Sequence, residues 1–88
     1  MNIQNYLVEF IGTLIFLFMI IVTKNPLMIG LTLTTIIIIG ENISGAHYNP
    51  VVSIGMYYLG KLNIDDLLPY IVSQICGGLV GYKLTKVF

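Results

Sequence analysis

Ser44-Gly45-Ala46-His47-Tyr48-Asn49-Pro50-Val51-Val52-Ser53-Ile54-Gly55 is the one stretch in which turn residues interrupt an almost unbroken run of apolar sequence. Gly45 permits backbone conformations closed to other residues, Asn49 is a strong N-cap, and Pro50 suits a first helical position, where its missing N–H would have no partner. The stretch therefore reads as a loop running into a short helix from Pro50 to about Leu59, ended by Gly60. At ~1.5 Å per residue this helix measures roughly 15 Å, about half of a ~30 Å hydrocarbon layer. It can enter a membrane without crossing it. Unwound backbone is tolerated at membrane depth only where it lines a cavity or is buried in protein, so the loop is expected to do one or the other.

Upstream, the apolar run from Tyr6 to Thr23 is broken only by Glu9, Gly12 and Thr13, and predicts a spanning helix over about 4–23. A secretory signal is the competing reading, but residues 1–5 carry no basic side chain and no small-residue cleavage site follows. Lys24-Asn25-Pro26 marks a tight connection to a second helix over about 27–40, where Gly30, Thr32, Thr34 and Thr35 offer small or hydroxylated positions for close helix contact. Downstream, Lys61-Leu62-Asn63-Ile64-Asp65-Asp66 is the most polar segment and is expected at the surface. Asp65 or Asp66 would cap a third spanning helix over about 67–86, with Pro69 in its first turn. Within that helix Gly77-x-x-x-Gly81, with Gly78 beside it, gives a flat face for helix packing, as Gly12 does in the first.

Composition agrees with this reading. Of 88 residues, 57% are apolar and 9% charged, against about half and about a quarter in soluble proteins. The expected fold is thus a single-domain, all-α integral membrane protein over residues 1–88: three transmembrane helices plus one re-entrant half-helix at 44–59. With net charge zero, four Lys and no Arg, no basic stripe for nucleic acid exists. Cys76 is a lone cysteine, read as a packing residue.

The string Ser44-Gly45-Ala46-His47-x-Asn49-Pro50, followed by Val52-x-Ile54-Gly55, resembles the first re-entrant loop of the aquaporin and glycerol-facilitator family, whose Asn-Pro-Ala box stands here as Asn49-Pro50-Val51. Glu9-Phe10-Ile11-Gly12-Thr13 resembles that family's first helix, Ile29-Gly30-Leu31-Thr32 its second, and Pro69-Tyr70-Ile71-Val72-Ser73-Gln74 with Gly77-Gly78 its third. The resemblance covers nearly the whole chain but only half of the family's architecture, which builds a pore from two such units in opposite orientation. It implies that Asn49 faces the path, that the carbonyls of Gly45, Ala46 and His47 form a ladder of acceptors along it, and that Glu9 and Gln74 brace the loop from behind. The side chain of His47 is read instead as a satisfied buried imidazole bracing the loop. Ile29 falls at a constriction position that is bulky aromatic or polar in the family. The family's arginine after its second box has no counterpart, the place after this box being Val52.

No nucleophile–base pair, metal-ligand spacing or phosphate loop is present, so neither catalysis nor a metal or cofactor is expected. The expected function is a channel subunit in the lipid bilayer, passing water or small neutral solutes such as glycerol after assembly with a second half. That half would be an antiparallel copy in a homo-oligomer or a separate chain. The competing expectation is a non-conducting module that associates with a full-length channel.

Overall fold

A computed structural model describes residues 2–88. Four helices are seen among them and no strand: α1 (Ile3–Thr23), α2 (Pro26–Gly40), α3 (Pro50–Leu59) and α4 (Ile64–Leu84). Asparagine opens every one. The side chains of Asn2, Asn25, Asn49 and Asn63 each accept from a backbone N–H of the first turn, and Pro26 and Pro50 follow two of them at the first helical position. Lys24 ends α1 in the left-handed region, which turns the chain directly into α2. Gly60 ends α3 with φ 86°, letting the N–H of Lys61 return to the Met56 carbonyl at 2.8 Å.

The last helix differs from expectation at its start. Neither Asp65 nor Asp66 is its cap: Asn63 Oδ1 accepts from the Asp65 N–H at 3.3 Å, so the helix begins at Ile64 and Pro69 lies inside it rather than in its first turn. The two aspartates fall in that first turn instead, where their charge complements the helix dipole.

α1 lies between α2 and α4, and α3 packs on α4. α1 and α4 run parallel. Tyr6 donates to Asp66 at 2.6 Å near their N-terminal ends, Gly77 lies on Phe10, Gly81 on Leu14, and Phe18 meets Phe88 edge-on at the far end. The glycines set how close the helices come. A methyl group at Gly77 would overlap the Phe10 carbonyl, and one at Gly81 would stand 2.5 Å from the Leu14 carbonyl, so the two backbones touch with no side chain between them. In lipid, where burying apolar surface gives no drive to association, such close backbone packing is a main source of helix affinity.

The distribution of polarity is inverted relative to a water-soluble protein. Of the largest fully buried side chains, Gln74, Glu9 and Ser53 are polar and only Tyr70 is aromatic, whereas Leu7, Ile38, Ile39, Val51 and Leu79 lie outside. α1 is 21 residues long and apolar enough to cross a bilayer. α2, at 15 residues, is apolar but shorter.

Candidate functional site

The polar residues converge on the loop between α2 and α3. Glu9, in the second turn of α1, is fully buried, and its two carboxylate oxygens accept four hydrogen bonds. Oε2 takes the Ser44 hydroxyl at 2.6 Å and the His47 N–H at 3.0 Å. Oε1 takes the Tyr48 N–H at 2.7 Å and the Gln74 amide at 2.9 Å. None of these partners is a cation. A carboxylate offers about four lone-pair sites, and here neutral donors fill that number.

Gln74, from α4, directs its second amide hydrogen to Ser53 Oγ at 2.8 Å, and Ser53 is in turn bonded to His47 Nδ1 at 2.8 Å. This pattern fixes the orientation of the Gln74 amide, because flipping it would turn its oxygen toward the Glu9 carboxylate. Tyr70 donates to the Ser44 carbonyl at 2.6 Å and stacks, tilted, on the His47 ring. His47 is thus a buried imidazole held between α3 and α4.

Held this way, the loop keeps an improbable conformation. Ala46 and Tyr48 have φ of 54° and 56°, and Gly45 has φ 90°. Non-glycine residues in the left-handed region cost about 1–3 kcal/mol each and persist only where the surroundings over-determine them. The loop delivers Asn49 in extended conformation at the surface of the described chain. Its Oδ1 accepts from the Val51 N–H at 2.9 Å, which leaves the amide hydrogens unused by the cap. Val51 is 74% exposed, and Pro50 is half-buried.

Of the residues singled out in the sequence, Glu9, Gly45, Ala46, His47, Asn49 and Gln74 come together here. Ile29 does not. It lies half-buried near the start of α2, eleven residues before Gly40, or about 16 Å along the helix at ~1.5 Å per residue. Thr32, Thr34 and Thr35 each donate to the carbonyl one turn earlier in α2, Thr32 and Thr35 border a groove shared with Ile15 and Met19 of α1, and a methyl group at Gly30 would meet nothing. Gly12 also has a different neighbour from the one expected. It receives the ring of Tyr48, which a methyl group at position 12 would overlap, rather than another helix.

Gly12→Ala is therefore expected to displace the loop and lower the thermal midpoint in detergent, and Tyr48→Leu in the same chain should restore part of the loss. Equal destabilisation in the single and double variants would contradict this. The sequence reading quoted Ser44 and Tyr70 within its motifs without giving either a role, and gave none to Tyr48 or Ser53. Ser53 left a trace, a hydroxyl one turn into an otherwise apolar half-helix.

A buried polar cluster inside an apolar shell, with α1 long and apolar enough to cross a bilayer, is the pattern of an integral membrane protein. The chain belongs to the major intrinsic protein family, whose model matches residues 1–88, a family of channels and not of enzymes. Among the proteins it is similar to are Aquaporin-8 of Notomys alexis, 40% identical over 96 aligned positions, and Aquaporin-8 of Mus musculus, 38% identical over the same length. Each alignment covers 97% of this chain and 37% of the relative. Aquaporin Z of Photorhabdus laumondii subsp. laumondii is 43% identical over 55 positions, covering 62% of this chain and 24% of its own. The chain thus spans little more than a third of the length of the aquaporin-8 relatives. No solved structure matches.

Proposed function

We propose that this chain is a multi-pass subunit of an aquaporin-like channel, with α1, α2 and α4 spanning the bilayer and residues 44–59 forming a re-entrant loop and half-helix. Water and small neutral solutes such as glycerol are the permeants. A second half, either an inverted copy of this chain or a separate partner, completes the pore. The observation that carries the reading is the hold of the buried Glu9 carboxylate on the unwound backbone before α3, which leaves the capped N-terminus of that helix uncovered at Asn49.

The chemistry follows from that end. The unpaired N–H groups and positive dipole of a helix N-terminus repel cations. The Asn49 amide can donate to a passing solute while its oxygen stays on the cap, and the carbonyls of Gly45, Ala46 and His47 offer acceptors, so a neutral hydrogen-bonding molecule is oriented and a cation gains nothing. Glu9 and Gln74 act as loop supports. The aliphatic Ile29 favours a looser size limit than that of a strict water channel.

Stopped-flow measurements on liposomes containing the purified chain test this. Water and glycerol should both pass above the level of empty liposomes, and Asn49→Leu should remove most of that flux. Rapid water flux with complete exclusion of glycerol and urea would contradict the loose limit, and flux no greater than in empty liposomes would rule out an inverted copy as the second half and leave a separate partner or a non-conducting module.

A further inference from the structure

We propose that Tyr48 is a positioning residue whose hydroxyl latches the loop to α2 and so fixes where Asn49 stands in the path and which solutes fit past it. The inference rests on the channel reading above. Tyr48 immediately precedes Asn49 and is held in three ways. Its N–H donates to Glu9, its ring is 3% exposed in the notch between Gly12 of α1 and Gly40 of α2, and its hydroxyl donates to the Ile36 carbonyl at 2.6 Å. The first hold uses main chain alone and would grip any residue at this position. The third depends on tyrosine.

Ala46 also packs on Ile36, but among the described residues no other hydrogen bond duplicates the latch. Among the described residues, α2 packs on α1 while α3 packs on α4, and the remaining side-chain bonds of the loop lead to α1, α3 and α4. Apart from the turn that continues α2 into the loop, the phenol is the one hydrogen bond between them.

The space beside the ring explains why a hydroxyl is needed. Val8, Ile11, Gly12, Ile15, Ile36 and Ile39 line an apolar groove of about 280 Å³ that the Tyr48 ring borders and that opens outward past the exposed Ile11, Ile15 and Ile39. That volume exceeds an aromatic side chain, and its lining side chains are apolar. A tyrosine turning into it would lose the Ile36 carbonyl and find no replacement, which is unfavourable for a buried hydroxyl. A phenylalanine would meet no such penalty. The ring therefore has two places to sit, and the hydroxyl selects the one that keeps the loop in its left-handed conformation.

The test compares the full chain with Tyr48→Phe, which keeps the ring, and with Tyr58→Phe, a control at a position 81% exposed. In Tyr48→Phe the amides of residues 44–49 should exchange with deuterium about fivefold faster in micelles, the change that accompanies loss of a hydrogen bond of about 1 kcal/mol. In liposomes the ratio of glycerol to water permeability should rise, a readout that a smaller folded fraction would leave unmoved because both fluxes would fall together. Tyr58→Phe should match wild type in both. In a conducting protein an unchanged ratio overturns the proposal, whatever the exchange shows. If wild type alone conducts neither solute, the chain does not complete a pore by itself, a failure separate from the latch, and exchange decides the latch: faster exchange upholds it, unchanged exchange overturns it.

Discussion

Replacing Glu9 with alanine is expected to destabilise the folded chain by about 3 kcal/mol or more, because a buried donor left unpaired costs about 1–3 kcal/mol and this carboxylate serves four. Two of the four are backbone N–H groups that have no helical partner, since the loop is unwound where they lie. Glu9→Gln should fall between alanine and wild type. It keeps one acceptor oxygen but turns an NH₂ group either toward Ser44 and His47 or toward Tyr48 and Gln74, which are also donors. Thermal unfolding of each full-length variant in the same detergent, followed by circular dichroism, gives the order. A Glu9→Ala midpoint equal to wild type would show that the cluster does not hold the loop.

The second large effect is expected at the seam between α1 and α4, where the neighbouring glycines should behave differently. Gly77→Ala and Gly81→Ala each place a methyl group against the backbone carbonyls of Phe10 and Leu14, which cannot move aside unless the helices separate. Gly78→Ala instead meets the Leu17 side chain at 3.5 Å, an ordinary contact. The first two should therefore cost about 1–3 kcal/mol each, the range for overpacking a close-packed interior, while the third is near neutral or slightly stabilising. The same unfolding midpoints serve as the measurement. Equal losses at 77 and 78 would mean that the helices approach along a different face. Because α4 carries Gln74 and Tyr70, separation at the seam should also loosen the loop.

These expectations separate what could be read along the chain from what could not. The ends of α3 were legible because capping is local: Asn49-Pro50 and Gly60 act on residues within one turn of themselves. Lys24-Asn25-Pro26 was legible for the same reason. Asn63, Asp65 and Asp66 are all chemically competent caps, so local chemistry could not choose among them, and the choice fell on Asn63. The partners of Glu9 lie 35 to 65 residues away, and no spacing rule within this chain selects them; the family resemblance supplied Gln74 and the loop, Ser44 included, but not the bond from the Ser44 hydroxyl. Tyr48 was the least legible. In the motif it occupies the variable place, and its role depends on a groove and a carbonyl that exist only once α1 and α2 have packed.

The wide separation of Glu9 from its partners bears on how the chain is made. Synthesis delivers α1 first, with its carboxylate, whereas Ser44, His47 and Tyr48 emerge later and Gln74 later still. A charged side chain at the centre of a lone helix in lipid costs about 2.5–3.5 kcal/mol, and less toward the interface, where the second turn of α1 would place it. Until the loop arrives, that cost has nothing within the chain to offset it. α1 is therefore translated before these partners yet settles fully only after them, and a ribosome stalled before Gln74 would leave α1 less firmly inserted than its own hydropathy suggests.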